Sequence, residues 1–85
     1  MANAKVVVYS KAQCPYCKMA KELLQSRNIA FEEIRVDLDN SKLEEMLRLS
    51  NKRTVPQIFI NDKSIGGYDD LAALVKAGKL DEFLK

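Results

Sequence analysis

The sequence predicts a small α/β domain in which helices cover both faces of a mixed β-sheet, with elements in the order β-α-β-α-β-β-α. Three observations support this fold class. Short apolar runs typical of strands alternate with stretches of helical periodicity. The first such unit is β-α-β, which predicts two parallel strands with a right-handed crossover. The pair Asn61-Asp62 separates two strand-like runs and predicts an antiparallel hairpin.

The first strand and the first helix flank two cysteines. Residues 5–10 hold a continuous apolar run that is typical of a strand buried on both faces. Pro15 suits the first position of a helix, which makes Cys14 the N-cap, and Asn28 suits a left-handed position after the helix ends. The helical periodicity predicts a buried stripe formed by Tyr16, Cys17, Ala20, Leu23 and Leu24.

The second half of the chain continues the pattern. Residues 33–38 alternate polar and apolar, as in a strand with one exposed face. Ser41 followed by Glu44 is a capping-box pattern and predicts a helix capped at Ser41, ending near Asn51. Residues 57–60 form another apolar run. A third helix begins with Asp69-Asp70 in its first turn and stops before Gly78, and residues 80–84 add a last short turn.

Length, charge and hydropathy limit the functional classes. The 85 residues fit one domain, 1–85. Fourteen basic and twelve acidic side chains give a net charge of +2, too balanced to indicate nucleic-acid or membrane binding. No stretch approaches the ~20 apolar residues of a membrane span, and no signal peptide is visible. Two neighbouring cysteines without an export signal predict a cytoplasmic location.

Cys14 and Cys17 are predicted to form a redox-active pair. Residues three apart on a helix lie one turn from each other on the same face, which suits a disulfide. A bridge there would close a loop of only about four residues and stabilise the fold by roughly 2 kcal/mol, against nearly 5 for a loop of about 100 residues. A structural zinc site needs four ligands, whereas the chain has two cysteines and no histidine.

The two sulfurs are predicted to differ in reactivity. Cys14 lies at a helix N-terminus, where free N–H groups and the helix dipole favour the thiolate form that performs disulfide exchange. Lys11 and Lys18 add positive charge nearby. Cys17 lies one turn deeper with fewer free donors and should keep the higher pKa. Cys14 is therefore predicted to be the nucleophile and Cys17 the resolving thiol.

Two further stretches are candidates for ligand binding. Val55-Pro56 precedes an apolar strand, and the base rate for X-Pro bonds predicts a trans peptide there. The backbone edge at Thr54-Val55 could pair with an extended peptide. Gly66-Gly67, before the third helix, could form a backbone nest for a carboxylate; a plain turn with acidic helix capping is the alternative.

Taken together, three stretches resemble the glutaredoxin family, and most closely its small bacterial dithiol class. They are Cys14-Pro15-Tyr16-Cys17, Thr54-Val55-Pro56-Gln57-Ile58-Phe59-Ile60 and Gly66-Gly67-Tyr68-Asp69-Asp70-Leu71. The resemblance implies a thioredoxin fold with a four-stranded sheet and a cis bond before Pro56. It implies a monomeric enzyme that uses glutathione as co-substrate, needs no metal, and reduces glutathionylated or disulfide-containing proteins.

The resemblance also implies a binding mode for glutathione. Thr54, Val55 and Pro56 would line its groove, with the backbone of Val55 pairing with the cysteinyl unit. Near the glycyl carboxylate the resemblance implies Lys11 and Tyr16, assisted by Lys52, Arg53 or Gln57. At the γ-glutamyl end it implies Gly67, Tyr68 and Asp69, with Asp69 or Asp70 near the ammonium group. Many relatives carry a third cysteine where this chain has Tyr68.

Three alternatives remain open at this point. The first is a thioredoxin-like hydrogen donor reduced by a flavoprotein reductase, against which the Gly66-Gly67 nest argues. The second is a dimeric iron–sulfur carrier that bridges a cluster through Cys14 and glutathione. Cluster-binding relatives typically lack Pro15, whose ring restricts the loop. The third is a binding domain with inert cysteines.

Overall fold

The computed structural model describes residues 4–84 and has the predicted order of elements. The strands and helices, in chain order, are β1 (Val6–Ser10), α1 (Pro15–Ser26), β2 (Glu32–Arg35), α2 (Asn40–Ser50), β3 (Gln57–Ile60), β4 (Lys63–Gly66), α3 (Tyr68–Lys76) and α4 (Leu80–Leu84). None of the helices in this part of the chain is long and apolar enough to cross a membrane.

The strands form one mixed sheet in the order β2-β1-β3-β4. β1 pairs in parallel with β2, and β3 is antiparallel to both β1 and β4. The predicted parallel β-α-β unit and the predicted hairpin are therefore confirmed. All five residues of the central strand β1 are buried, as a continuous apolar run predicts. Tyr9 pairs with Gln57, so the end of β1 lies beside the start of β3.

Each face of the sheet has its own apolar core, because successive side chains of β1 point to opposite faces. Val6 and Val8 belong to a core that contains buried residues of α1, α3 and α4, namely Ala20, Leu24, Leu71 and Leu80. Val7 and Tyr9 belong to the other core, with Phe59 and with Met46 of α2. Helices on both faces were predicted and are confirmed.

The predicted cap of α2 at Ser41 is wrong. The helix begins at Asn40, and Asp39 is its N-cap. The Asp39 carboxylate accepts hydrogen bonds from the Ser41 backbone N–H at 2.9 Å and from the Ser41 hydroxyl at 2.6 Å. Both aspartate and serine are good N-cap residues, and here the aspartate takes the cap while the serine lies within the first turn.

The predicted strand over residues 33–38 is too long at its C-terminal end. β2 ends at Arg35, and residues 36–38 form a turn. The Arg35 guanidinium binds both carboxylate oxygens of Asp37, at 2.7 and 2.6 Å, and this ion pair holds the pKa of Asp37 well below its usual range. Asp37 Oδ2 also accepts the Ala12 N–H at 3.2 Å. The turn therefore fastens the loop that follows β1.

Residues with positive φ lie where the sequence predicts turns and helix ends. Asn61 and Asp62 in the hairpin have φ of 52° and 69°, and Asn51 ends α2 at 59°. Asn28 and Gly78 follow α1 and α3 in the same region of backbone space. The Val55-Pro56 peptide is cis, so the base-rate expectation of a trans bond is wrong and the expectation from the family resemblance is confirmed.

Candidate functional site

Cys14 is the N-cap of α1, as predicted, with an extended backbone at φ −115°. Its Sγ accepts a hydrogen bond from the Cys17 N–H at 3.2 Å. The same sulfur lies 3.8 Å from the carbonyl oxygen of Val55, to which the thiol donates. Cys14 is half-buried and carries a free thiol. Its sulfur therefore lies between the first free N–H groups of a helix and the segment that precedes β3.

Cys17 is in a different environment, with a relative exposure of 1%. Burial, together with its hydrogen bond to the Cys14 sulfur, raises the pKa of Cys17 to about 12, because a thiolate loses its hydration in an apolar surrounding. The pKa of the deeper cysteine is thus shifted in the predicted direction. At neutral pH Cys17 is a thiol, held one helical turn from the more accessible Cys14.

A groove of about 360 Å³ runs between the start of α1, the segment before β3 and the start of α3. It contains every residue that the resemblance implies for glutathione binding except Lys11 and Arg53. The residues that line this groove are Tyr16, Lys52, Thr54, Val55, Pro56, Gln57, Gly67, Tyr68, Asp69 and Asp70. The structure thus brings together segments that lie far apart in the sequence.

Two tyrosines face each other across the groove. The rings of Tyr16 and Tyr68 have centroids 6.1 Å apart and are inclined by 35°. Tyr16 is 57% exposed, so its predicted place on the buried stripe of α1 is wrong, whereas Cys17, Ala20 and Leu24 are buried as predicted. The Tyr16 ring lies at the surface beside the Tyr68 ring instead of packing against the sheet.

The segment before β3 has free backbone beside Cys14. The last pair between β3 and β4 joins Ile58 to Gly66, so residues 54–56 have no strand partner on that side. The Gln57 amide donates to the Thr54 carbonyl at 2.9 Å and to the Thr54 hydroxyl at 3.1 Å. Gln57 is 1% exposed. The NH2 group of its side chain therefore braces this segment, a role that no sequence pattern indicated.

The predicted nest before α3 is partly occupied by the chain itself. The Gly67 N–H donates to Asp70 Oδ2 at 3.0 Å, which is the acidic helix capping considered above. The following N–H groups, of Tyr68 and Asp69, belong to a first helical turn, where backbone donors lack intrahelical partners. They remain suited to an anion. Asp69 is exposed, whereas the Asp70 carboxylate is committed to the cap.

Three basic candidates lie in different places. Lys52 lines the groove. Arg53 and Lys11 line a neighbouring cavity together with Asp37. Lys11 also lines a larger cleft of about 620 Å³ that contains both Cys14 and Cys17 and shares no lining residue with the groove. Of the basic residues that the resemblance implies for the glycyl carboxylate, Lys52 alone lines the groove.

Comparison with known proteins agrees with this geometry. The family model described as Glutaredoxin matches residues 6–65. A curated protein of Escherichia coli, Glutaredoxin 3, is 50% identical over 82 residues, which cover 96% of this chain and 99% of that protein. A glutaredoxin of Pseudomonas aeruginosa is 48% identical over 79 residues, covering 93% of this chain and 94% of that protein.

Solved structures show the same fold. The solution structure of a glutaredoxin from Brucella melitensis is 41% identical, with a TM-score of 0.86, and the match covers all of this chain and 92% of that one. A crystal structure of a buckwheat glutaredoxin–glutathione complex is 31% identical, with a TM-score of 0.86 over 98% of this chain and 78% of that one. The four-stranded thioredoxin-like fold that the resemblance implied is therefore confirmed.

Proposed function

The chain belongs to the glutaredoxin family, and from this membership we propose that it is a glutathione-dependent enzyme reducing glutathione mixed disulfides and protein disulfides. Family and fold support the broader class, thiol–disulfide oxidoreductase. The observation that carries the glutathione-specific proposal is the groove beside Cys14, where backbone, acidic and basic groups converge. The buckwheat relative was solved with glutathione.

We propose that glutathione extends along this groove. Its cysteinyl unit pairs with the free backbone of Val55, and the carbonyl of Val55 already lies 3.8 Å from Cys14 Sγ. Its glycyl carboxylate lies toward Lys52 and Tyr16. The γ-glutamyl carboxylate meets the free N–H groups at the start of α3, and Asp69 attracts the ammonium group.

Reduction of a glutathionylated protein begins at Cys14. Its thiolate attacks the glutathione sulfur, so a Cys14–glutathione disulfide forms as the substrate disulfide breaks. The electron pair leaves on the sulfur of the substrate protein, which takes a proton from water. A second glutathione thiolate then attacks the glutathione sulfur on Cys14. Glutathione disulfide departs and the Cys14 thiolate is restored, so each turnover consumes one free glutathione, and the other half of the glutathione disulfide comes from the substrate.

Reduction of a protein disulfide also uses Cys17. Cys14 attacks one substrate sulfur and forms a mixed disulfide with the protein. Cys17 then loses its proton and attacks Cys14 Sγ, which releases the second substrate thiol and leaves a Cys14–Cys17 disulfide. Two glutathione molecules reduce this bridge and become glutathione disulfide. Because Cys17 is buried with a raised pKa, we expect its deprotonation to accompany the attack instead of preceding it.

Two variants test these roles with two substrates. We predict that Cys14→Ser abolishes turnover of both a small glutathione mixed disulfide and a protein disulfide, because the attacking sulfur is gone. Cys17→Ser should retain turnover of the mixed disulfide and lose reduction of the protein disulfide. Glutathione-coupled steady-state rates measure both reactions. Mixed-disulfide turnover by Cys14→Ser at the unmodified protein's rate would contradict the assignment.

We further propose that the protein acts as a cytoplasmic monomer and needs no metal. Its balanced charge supports a freely diffusing protein. The thiols of Cys14, Cys17 and glutathione supply the redox chemistry of the two reaction sequences above.

A further inference from the structure

The cleft that contains both cysteines is rich in positive charge. We call it the cationic cleft and define it by the ten residues that line it, Lys11, Ala12, Gln13, Cys14, Pro15, Cys17, Lys18, Lys21, Glu33 and Arg35. Four of these side chains are cationic and one is anionic. The cleft is larger than the groove assigned to glutathione and shares no lining residue with it.

Two of the four cations are neutralised within the protein. Lys21 forms an ion pair with Glu33 at 2.8 Å, and the carboxylate also accepts the Ser10 hydroxyl at 2.6 Å. Arg35 forms its two hydrogen bonds with Asp37. The internal pairing therefore leaves Lys21 and Arg35 with little charge to offer a ligand.

The other two cations, Lys11 and Lys18, are available. Both are exposed, and neither forms an ion pair with an acidic side chain within residues 4–84. Lys11 precedes the active loop, and Lys18 lies on the first turns of α1. The cationic cleft thus carries a surplus of two positive charges beside the sulfurs.

We propose that the cationic cleft binds an acidic segment adjoining the reactive cysteine of a disulfide-containing protein substrate. This inference rests on the proposed function and adds a substrate class to it. A protein that forms a mixed disulfide with Cys14 must place its neighbouring residues against the surface around that sulfur. The cationic cleft is part of that surface. It shares no lining residue with the groove assigned to glutathione, so the substrate segment does not compete with glutathione for the cleft. Carboxylates on the substrate segment would pair with Lys11 and Lys18.

The expected preference is modest because the lysines are exposed. Exposed ion pairs change an equilibrium by roughly 1.5- to 5-fold each, so two of them give about a 2- to 25-fold preference. Salt should weaken it, because the Debye length falls from about 30 Å at 0.01 M to about 10 Å at 0.1 M ionic strength. We therefore expect the preference to be largest at low ionic strength.

The test compares two disulfide peptides of equal length, one with glutamates and one with lysines beside the cysteines. The measured quantity is the ratio of their kcat/KM values in the glutathione-coupled assay. Both peptides are attacked by the same sulfur, so any change in its intrinsic nucleophilicity cancels in this ratio. We expect the unmodified protein to favour the acidic peptide by about 2- to 25-fold at low salt.

Charge reversal in the variant Lys18→Glu should remove or invert this preference. Lys18→Gln should give an intermediate ratio, and it provides the test if Lys18→Glu does not fold. The matched control is Lys79→Glu, which changes the net charge equally at an exposed residue outside the cleft and should leave the ratio unchanged. Equal rates for the two peptides, or an equal loss of preference in the control, would overturn the inference.

A mixed disulfide of glutathione with a small uncharged thiol separates this inference from the proposed function. If the protein turns over this substrate but shows no preference between the two peptides, the inference about the cationic cleft is wrong and the proposed function stands. Failure to turn over this substrate would instead overturn the glutathione-dependent activity.

Discussion

At the scale of single residues, the two cysteines differ in burial. Cys14 lies at the N-terminal end of α1, whereas Cys17, one turn further along, is buried in the protein. Cys14 is half-buried at the N-cap, whereas Cys17 is 1% exposed. Burial keeps Cys17 protonated, and the nearby Cys14 sulfur is the position it must attack. The pair therefore combines an accessible sulfur with a shielded one that acts only after a mixed disulfide has formed.

The raised pKa of Cys17 predicts how the stability of the reduced protein depends on pH. Its pKa is about 12 in the folded state, against an ordinary value of 9.0, so the folded state binds this proton more tightly than the unfolded state. The resulting stabilisation is complete below the unfolded pKa and is lost as pH rises toward the folded value. The free energy of unfolding should therefore fall with pH above about 9.

Denaturant titrations of reduced protein at several alkaline pH values measure this fall, and Cys17→Ala is the control. Tyr9, whose pKa burial and the Glu45 carboxylate raise, contributes an alkaline slope to both proteins. The unmodified protein should lose stability more steeply than Cys17→Ala over this pH range. Parallel curves for the two proteins would show that Cys17 is not shielded.

Which residue properties can be predicted from sequence depends on how local their causes are. The depth of Cys17 follows from helix geometry next to Pro15, and the sequence was sufficient for it. Periodicity also placed Tyr16 on the buried stripe, although its ring lies at the surface. The hydrogen bonds of Gln57 to Thr54 depend on how the segment before β3 folds back. Hydrophobic periodicity in the sequence cannot predict a hydrogen bond of this kind.

At the scale of elements, the junction between β4 and α3 depends on Gly66, whose substitution should lower the free energy of unfolding. Gly66 has φ of +115°, and a Cβ at this position would collide with the Asp70 carboxylate. That carboxylate holds the Gly67 N–H and so caps α3. The side of the groove assigned to the γ-glutamyl end of glutathione therefore depends on this glycine.

This junction predicts unequal costs for two glycine substitutions. Gly78→Ala meets open space at φ +70° and should cost about 1–2 kcal/mol of unfolding free energy, the usual cost of a left-handed L-residue. Gly66→Ala adds a collision with Asp70 and loss of the cap, so it should cost at least about 1 kcal/mol more. Chemical denaturation of both variants measures the difference. Equal costs would show that the Asp70 cap is dispensable.

Element boundaries were less predictable than the elements themselves. Ser41 with Glu44 matches a capping box, but Asp39 lies nearer the start of the helix and caps it. β2 ends early because Arg35 turns back to bind Asp37. In both cases a short-range bond between charged or polar side chains decides the boundary. Hydrophobic periodicity, which predicted the existence of α2 and β2, does not detect such bonds.

At the scale of the whole molecule, the site exists because the sheet brings distant segments to one edge. Cys14 and Val55 lie 41 positions apart in the chain and meet at 3.8 Å, since β1 and β3 are neighbours in the sheet. The helix that follows β4 supplies the other side of the groove. Strand order thus determines which loops form the candidate site.

Pattern alone predicted much of this architecture. The apolar runs, the parallel unit and the hairpin gave the element order, and two-sided burial of β1 required helices on both faces. The cis peptide before Pro56 came only from the family resemblance, because a single X-Pro pair carries no local signal for its isomer. The separation of Lys11 from Lys52 into different cavities depends on tertiary packing and was not predictable.

The central claim is that Cys14 removes glutathione from a mixed disulfide, and trapping the intermediate tests it most directly. Cys17→Ser is incubated with a glutathionylated peptide without free glutathione, and the product is digested and measured by mass spectrometry. We predict one glutathione bound to Cys14 and the peptide released as a free thiol. Attachment of the peptide instead of glutathione, or the absence of any adduct on Cys14, would contradict the account.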